Sequence, residues 1–337
     1  MIASMTPSVQ RRAAGSIFGL AFGDALGKPT EFLSVAEIDR RYGPTGPREL
    51  VGDPALVTDD TQMALAVAWA LHDAPEHTAE AVQPLLRQRF LAWAASPDNN
   101  RAPGMTCLRA CAELSRGLPW QQATVVDSKG CGANMRVTPV GLLDVDLDTL
   151  AGLAQLQAGL THGHPTGLAA SELTAYAVRL LRAGVALAEL PGLLTERVGE
   201  QRVVYRTDWL GDLWRRANAA TPEAFISAGW DECGAALRQL DAALSGPDDG
   251  GDPCRLTGEG WIAEEALVTA LYCAVRHADD PVGALVRGAR TAGDSDSIAA
   301  LAGAFVGAAL GMAAWPAPWA ERIEYADQLV ALSARHD

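Results

Sequence analysis

Two short acidic clusters contain the residues of this chain that are best suited to chemistry. They are Thr58-Asp59-Asp60-Thr61 and Gly293-Asp294-Ser295-Asp296-Ser297. Together they offer four carboxylates and several hydroxyls, without sulfur or imidazole, and such oxygen ligands suit a hard divalent cation such as Mg²⁺ or Mn²⁺. If the fold brings the clusters together, their like charges repel, and only bound protons or cations relieve that repulsion. The function therefore depends on whether the clusters meet.

Each cluster also has a simpler interpretation as a helix cap. Asp and Thr ahead of an apolar periodic run are common N-cap residues, and the helix dipole favours carboxylates at that end. For residues 58–61 taken alone, capping is the favoured interpretation. The helix predicted after residues 293–297 is rich in Ala and Gly and reads as buried, so two aspartates at its start would be costly without partners. For this second cluster we favour metal ligation.

Other motifs could add to a site. Asp24 lies on an apolar helix face and could be a buried structural acid, whereas Glu31 could be a solvated loop residue. The glycine loop at residues 130–136 could present backbone N–H groups to a phosphate, although a lone glycine loop is a weak signal. His162 could ligate a metal or contact a ligand, but no Cys or acid lies at zinc spacing from it, so a loop hydrogen-bonding role is the default interpretation. Trp261 could stack on a base or simply pack in the core.

Helical periodicity covers most of the chain, and convincing alternating strands are absent. Residues 203–205 are apolar but too few to change that conclusion. We predict an all-α protein with a single compact multi-helix domain over residues 1–337, in which helix N-termini and loops carry the site. The predicted helices cover residues 11–26, 60–72, 79–95, 105–116, 147–160, 166–182, 187–198, 208–219, 232–244, 261–277, 282–290, 297–314 and 319–334.

Composition limits the possible partners and compartments. The chain has 337 residues, 49% of them apolar, and a net charge of −14, which argues against an extended nucleic-acid surface or an anionic membrane surface as partner. Its six cysteines form no Cys-x-x-Cys pair or zinc spacing, and no secretory signal is evident, so we expect free thiols in a reducing cytoplasm. Residues 298–315 lack charge, but their Ala and Gly content favours a buried central helix over a membrane span.

With these motifs in this order, the chain resembles the ADP-ribosylglycohydrolases, the family that includes ADP-ribosylarginine hydrolases and dinitrogenase-reductase-activating glycohydrolase. The resemblance runs nearly end to end, and it implies a compact all-α domain. The motifs that carry it are Gly19-Leu20-Ala21-Phe22-Gly23-Asp24-Ala25-Leu26-Gly27 with Glu31, residues 58–61, residues 130–136, Thr161-His162, Gly258-Glu259-Gly260-Trp261 and residues 293–297.

The resemblance implies two divalent metal ions, Mg²⁺ or Mn²⁺, held between the acidic clusters. The family commonly has Thr where this chain has Ser297; the hydroxyl remains, so we expect ligation to survive. The implied metal ligands are Thr58, Asp59, Asp60, Asp294, Asp296 and Ser297.

The resemblance also implies a catalytic carboxylate and an ADP-ribose pocket. Glu31 is similar to the family's glutamate beside the metals, and Asp98 lies where some members have a proposed catalytic acid. The general base stays open among Glu31, Asp60 and Asp98. The residues implied to hold ADP-ribose are Gly130, Gly132, Ala133, Asn134, Met135, His162 and Trp261, with Trp261 a candidate adenine platform.

The implied activity is metal-dependent hydrolysis of the glycosidic bond between ADP-ribose and an acceptor, with protein arginine as first choice. Serine-linked, nucleic-acid-linked and small ADP-ribosyl substrates are alternatives with the same chemistry. A catalytically silent binding or structural member is an alternative of another class, because the fold is reused in a jellyfish eye-lens crystallin; the four retained aspartates argue against it. A metal-dependent phosphohydrolase is less attractive because no basic residue is evident beside either cluster. We expect a monomer that acts on an ADP-ribosylated protein or a small ADP-ribosyl substrate.

Overall fold

The computed structural model describes residues 11–337, and every regular element in that range is helical. Nineteen α-helices pack into one body, and short 3-10 turns and isolated bridges complete it without a strand, which confirms the all-α prediction. The helices are α1 (Arg12–Gly27), α2 (Val35–Tyr42), α3 (Asp59–Asp73), α4 (Ala79–Ala94), α5 (Met105–Ser115), α6 (Trp120–Ala123), α7 (Thr138–Gly141), α8 (Leu147–Gly159), α9 (Pro165–Arg182), α10 (Leu190–Gln201), α11 (Thr207–Leu210), α12 (Leu213–Arg216), α13 (Pro222–Ser245), α14 (Cys254–Thr257), α15 (Ala263–Arg276), α16 (Pro281–Ala289), α17 (Ser295–Leu310), α18 (Ala317–Arg322) and α19 (Ala326–Ser333).

Helices α1 and α17 form the antiparallel centre of the molecule, and small residues let their backbones touch. A Cβ added at Gly19 would lie 2.2 Å from the carbonyl oxygen of Gly303, and one at Gly27 would lie 2.5 Å from the Cα of Asp296. Side chains larger than hydrogen do not fit between such backbones. The seam therefore places the end of α1 directly beside the second acidic cluster. Its α1 members, spaced every four residues, are Gly15, Gly19, Gly23 and Gly27.

Helix α17 contains most of the uncharged Ala- and Gly-rich segment that the sequence predicts to be a buried central helix rather than a membrane span. It is buried along nearly its whole length by other helices. It ends at Leu310 rather than at the predicted residue 314, because Gly311 adopts a φ of +82° and closes the helix. None of the helices in residues 11–337 combines the length and the apolar character needed to cross a bilayer.

Two other predicted helices are wrong in the same way, because a residue with positive φ interrupts each of them. The predicted helix over residues 208–219 is two short helices, α11 and α12, separated at Gly211 with a φ of +57°. The predicted helix over residues 319–334 is α18 and α19, separated at Tyr325 with a φ of +60°. Non-glycine residues seldom adopt that backbone conformation, so periodicity alone does not reveal the break at Tyr325.

Candidate active site

The first acidic cluster forms the N-terminus of α3, and a buried carboxylate from α1 holds it in place. Thr58 is the N-cap, and its hydroxyl accepts a hydrogen bond from the N–H of Asp60 at 3.4 Å. The Asp24 carboxylate accepts hydrogen bonds from the N–H and the hydroxyl of both Thr58 and Thr61, at 2.6–3.0 Å. Asp24 is therefore a buried structural acid that joins α1 to α3.

The second acidic cluster forms the N-terminus of α17. Asp294 is the N-cap, and its Oδ1 accepts a hydrogen bond from the N–H of Ser297 at 3.3 Å; Oδ1 of Asp296 accepts from the same N–H at 3.1 Å. The N–H of Asp294 donates to the carbonyl oxygen of Glu259 at 2.8 Å, which ties the cluster to the loop before Trp261. Capping is thus real at both clusters, but it occupies only part of their oxygen atoms.

The two clusters and Glu31 meet around Asp296. Burial and the charge of Asp296 together raise the pKa of Glu31 to about 9 and that of Asp60 well above its usual range. Burial raises the pKa of Asp59 to about 7, with a smaller contribution from Asp296. Asp294 and Glu31 both lie close enough to Asp296 to share a proton with it. The fold therefore places these five carboxyl groups close together and largely out of solvent, where their negative charges would repel one another.

The carboxylates are not arranged as a ready-made metal site. No three His, Cys, Asp or Glu side chains within residues 11–337 are grouped so that they could hold an ion. Two observations nevertheless fit a cation. The available donors are all oxygens, and Oδ1 of Asp60 is buried with no hydrogen-bond partner in the described chain. A divalent ion would replace the shared protons and satisfy this oxygen.

These acids form the floor of a cleft of about 360 Å³ whose walls come from distant parts of the chain. Glu31 and Phe32 contribute from the turn after α1, and residues 102–106 contribute from the loop before α5 and its first two residues. The glycine loop, His162 and Trp261 form the opposite wall. The lining residues are Glu31, Phe32, Asp59, Asp60, Ala102, Pro103, Gly104, Met105, Thr106, Gly130, Cys131, Gly132, Met135, His162, Trp261, Asp294, Asp296 and Ser297.

The glycine loop is held against α15 by its backbone and by one side chain. The N–H of Cys131 donates to the carbonyl oxygen of Trp261 at 3.0 Å, and Nδ2 of Asn134 donates to that of Ala263 at 3.1 Å. Ala133 and Asn134 are fully buried behind the wall, so of the loop residues predicted to hold a ligand, only Gly130, Gly132 and Met135 reach the cleft.

Two aromatic side chains stand at the mouth of the cleft. Phe32 and Trp261 stack with ring centroids 5.7 Å apart and an interplanar angle of 11°. Both rings are open to solvent, at 67% for Phe32 and 38% for Trp261. Phe32 also adopts a φ of +63°, which is strained for a bulky residue. Exposed, stacked rings beside a polar cleft are suited to contact with a flat apolar group such as a base.

Known proteins resemble this chain along nearly its whole length. The family model described as ADP-ribosylglycohydrolase matches residues 5–336. The chain belongs to the ADP-ribosylglycohydrolase family. It is 35% identical over 175 residues to the ADP-ribosyl-[dinitrogen reductase] glycohydrolase of Rhodospirillum rubrum, covering 49% of this chain and 55% of that protein. It is 26% identical over 347 residues to ADP-ribosylhydrolase ARH3 of Bos taurus, covering 93% of this chain and 88% of that one.

A solved structure agrees with this family assignment at the level of the fold. An ADP-ribosylglycohydrolase-related protein complex superposes with a TM-score of 0.66 and 24% identity, covering 97% of both chains. The alignment with the Rhodospirillum rubrum glycohydrolase spans about half the length of that relative.

Among the catalytic residues suggested by resemblance to the ADP-ribosylglycohydrolases, Asp98 is the one that the structure keeps apart from the acidic cleft. It is exposed and lies outside the cleft, in a neighbouring groove with Trp69, Trp93 and Tyr325. Its Oδ2 accepts a hydrogen bond from the hydroxyl of Tyr325 at 3.2 Å, and its carbonyl oxygen accepts one from Gln62. Ser96 and Asp98 line that groove, whereas residues 102–104 of the same loop line the acidic cleft, so Glu31 and Asp60 are the candidate bases that lie in the cleft.

Sequence reasoning missed two residues that the structure places at or behind the cleft. Phe32 follows Glu31 directly, yet nothing in the pattern indicated that its ring would stack on Trp261. Arg136 is the last residue of the glycine loop, and the loop motif gives it no role of its own. It is fully buried and contacts no carboxylate, and its charge lowers the pKa of His162 and opposes the burial effect on Asp59. A single arginine between Met135 and Val137 in an otherwise uncharged stretch was the available signal.

Proposed function

We propose that this protein hydrolyses the glycosidic bond between ADP-ribose and an acceptor group, and ADP-ribosylated protein arginine is our first choice of substrate. The observation that carries the proposal is the meeting of Asp59, Asp60, Asp294 and Asp296 with Glu31 in one cleft. The family assignment supports hydrolysis of ADP-ribose linkages. The name of the Rhodospirillum rubrum relative, which states a protein-linked ADP-ribosyl group as its substrate, supports a protein as acceptor.

We assign two divalent ions, Mg²⁺ or Mn²⁺, to the acidic floor. Thr58, Asp59 and Asp60 would hold them from α3, and Asp294, Asp296 and Ser297 from α17. Such ions supply Lewis acidity and a fixed frame for sugar oxygens. The Thr58 hydroxyl already donates to Asp24 at 2.9 Å, which fixes the orientation of its remaining lone pairs.

The side chains of the chain account for the rest of the chemistry. Cleavage at the anomeric carbon passes through an oxocarbenium-like state, and the carboxylates of the floor stabilise its positive charge. Glu31 lines the cleft and, once its shared proton is displaced, can accept a proton from the attacking water. Asp60 is the alternative base because its Oδ1 has no hydrogen-bond partner among the described residues. The stacked Phe32 and Trp261 would position the adenine at the mouth of the cleft, away from the acidic floor.

The proposal is tested with a panel of arginine-, serine- and DNA-linked ADP-ribose, each incubated with Mg²⁺, with Mn²⁺ and with EDTA. We expect release of intact ADP-ribose from the arginine adduct with a metal and none with EDTA, measured by mass spectrometry. Release from another adduct instead would change the linkage and keep the chemistry. Cleavage within the diphosphate, or no product from any adduct, would overturn the proposed activity. Asp60→Asn serves as the inactive reference.

A further inference from the structure

Arg136 is a buried hub whose N–H groups all have partners. Its Nε donates to Oε1 of Gln157 at 2.8 Å, and its Nη2 donates to the carbonyl oxygen of Gln157 at 2.7 Å and to the hydroxyl of Thr161 at 2.8 Å. Its Nη1 faces two sulfur atoms, Sγ of Cys107 at 3.4 Å and Sδ of Met63 at 3.5 Å. A guanidinium only donates hydrogen bonds, so each of these neighbours is an acceptor.

The hydroxyl of Thr161 accepts a hydrogen bond from Arg136 and also contacts His162, so it determines which ring nitrogen of His162 carries the proton. Its oxygen has two hydrogen-bond contacts within residues 11–337, with Nη2 of Arg136 and, at 2.8 Å, with Nδ1 of His162. Because the oxygen must accept from Arg136, its one proton is available for Nδ1. The reverse assignment, in which Nδ1 carries the proton, would leave the buried hydroxyl proton of Thr161 without an acceptor, and that arrangement is costly.

We propose that Arg136 and Thr161 are positioning residues that fix His162 as the neutral Nε2–H tautomer and so present one N–H donor to the cleft. The Nε2 edge of the His162 ring is accessible from the cleft because the neighbouring residues, Gly130 and Gly132, have no side chains. A Cβ at Gly132 would lie 3.3 Å from Nε2, and one at Gly130 would lie 3.4 Å from it. We call the hydrogen-bonded series Arg136–Thr161–His162 the relay. Side chains at positions 130 and 132 would crowd the Nε2–H donor at its end.

The relay defines the class of ligand atom that His162 receives. An Nε2–H donor pairs with an oxygen that accepts without donating, such as a phosphate oxygen, whereas the other tautomer would oppose such an oxygen with a lone pair. Burial and the nearby Arg136 charge lower the pKa of His162 to about 3, so the ring stays neutral at ordinary assay pH. That the oxygen belongs to the diphosphate of ADP-ribose rests on the proposed function; the tautomer does not.

The tautomer is tested directly by two-bond ¹H–¹⁵N NMR of the full chain labelled with ¹⁵N-histidine. The chain has six histidines, and the signals absent from His162→Gln identify the residue. We expect Nδ1 of His162 to give a pyridine-type shift and Nε2 a pyrrole-type shift, unchanged between pH 6 and 8. A protonated Nδ1, or averaged shifts in the wild-type chain, would overturn the proposal.

Variants test whether the relay is the cause. Thr161→Val removes the hydroxyl, and we expect averaged or broadened ring signals, whereas Thr161→Ser should restore the fixed pattern. The matched control is Thr174→Val, which removes a buried hydroxyl that has no hydrogen-bond partner in the described chain. An unaltered His162 pattern in folded Thr161→Val would overturn the relay. If Thr161→Val fails to fold, the comparison of wild type with Thr161→Ser still decides, because averaged shifts in the serine variant contradict it.

The ligand half is tested with ADP-ribose as the probe. We expect its Kd to rise about 5- to 10-fold in Thr161→Val and to stay unchanged in Thr174→Val, as measured by calorimetry. If wild-type protein does not bind ADP-ribose, the proposed function fails, whereas the NMR pattern of the free protein still decides on the relay. Equal affinity of Thr161→Val and wild type would show that His162 gives no donor to this ligand and would overturn the ligand assignment.

Discussion

Gly19 of α1 lies against the carbonyl oxygen of Gly303 of α17, and the place that a Cβ would take on Gly19 is 2.2 Å from that oxygen. The contact belongs to the seam that ends at Asp296, so the separation of these helices also sets the position of the second acidic cluster relative to Asp24 and Glu31. The close packing of the α1 and α17 backbones therefore determines the geometry of the candidate active site.

Gly19→Ala should therefore destabilise the protein strongly, because a Cβ there would lie 2.2 Å from the backbone carbonyl oxygen of Gly303 and 2.6 Å from the buried ring of Trp315, and the backbone cannot move aside. We expect a loss of about 3 kcal/mol or more in the free energy of unfolding, by urea denaturation. Gly192→Ala in α10 is the matched control, since a Cβ there meets nothing within 4 Å. It should be neutral or stabilising by about 0.5–1 kcal/mol. Equal effects of the two substitutions would contradict the close seam.

Asp60→Asn and Asp296→Asn should each lower kcat by about a hundredfold or more, because each removes a charge from the floor that faces the reacting sugar. Both variants should keep their helical circular dichroism, and in EDTA they should melt no lower than wild type because repulsion is relieved. Asp73→Asn, an exposed aspartate at the other end of α3, is the control and should retain activity. Normal turnover by either cleft variant would remove the proposed site.

Glu31→Gln and Asp98→Asn separate the candidate bases. Glu31 lines the cleft, whereas Asp98 lies in the neighbouring groove beside Tyr325. We expect kcat to fall about a hundredfold or more for Glu31→Gln and to stay within about threefold for Asp98→Asn, measured as ADP-ribose release at saturating substrate. The reverse ranking would restore Asp98 as the acid that acts on substrate and would require the groove to open toward the cleft.

Thermal stability without metal should fall as pH rises. The pKa of Asp24 and of Asp59 is about 7 and that of Glu31 is about 9 in the folded chain, mainly through burial. These values exceed those of the unfolded chain, so the folded state binds more protons, and its stability declines as pH rises through the folded pKa values. In EDTA we expect Tm to drop on the order of 5 °C between pH 6.5 and 9.

Addition of Mg²⁺ or Mn²⁺ should reduce that drop, because a cation replaces the protons, and Glu31→Gln should reduce it without metal. The measurement is differential scanning calorimetry at fixed ionic strength. A Tm in EDTA that stays level or rises across this pH range would show that the carboxylates do not share protons.

Trp261→Ala should weaken the binding of ADP-ribose about 2- to 10-fold, because it removes the larger of the two stacked rings at the mouth. Trp261→Phe, which keeps a flat ring, should lose less. Calorimetric titration with ADP-ribose and with ribose 5-phosphate separates the adenine contribution, since only the former should respond to the substitution. An equal loss of affinity for both ligands would place the ring elsewhere on the ligand.

The parts of this fold that follow local rules were predictable from sequence. Acid and hydroxyl residues ahead of small-residue runs indicated the N-termini of α3 and α17, because caps and periodicity are encoded within a few positions. The meeting of the two ends was suggested by resemblance, since it depends on a seam between residues almost three hundred positions apart. Arg136 could not have been placed, because the solvation of a buried charge depends on acceptors such as Gln157 and Thr161 that only the fold assembles.

The six free thiols have a practical consequence. Cys107, Cys111, Cys131, Cys233, Cys254 and Cys273 are all buried, and burial raises the pKa of each. Native protein should thus react slowly with alkylating dyes, whereas the denatured chain should react at every sulfur. Labelling kinetics would then record opening of the molecule, and Cys107, which lies against Gly132 and Arg136, would report specifically on loosening behind the glycine loop.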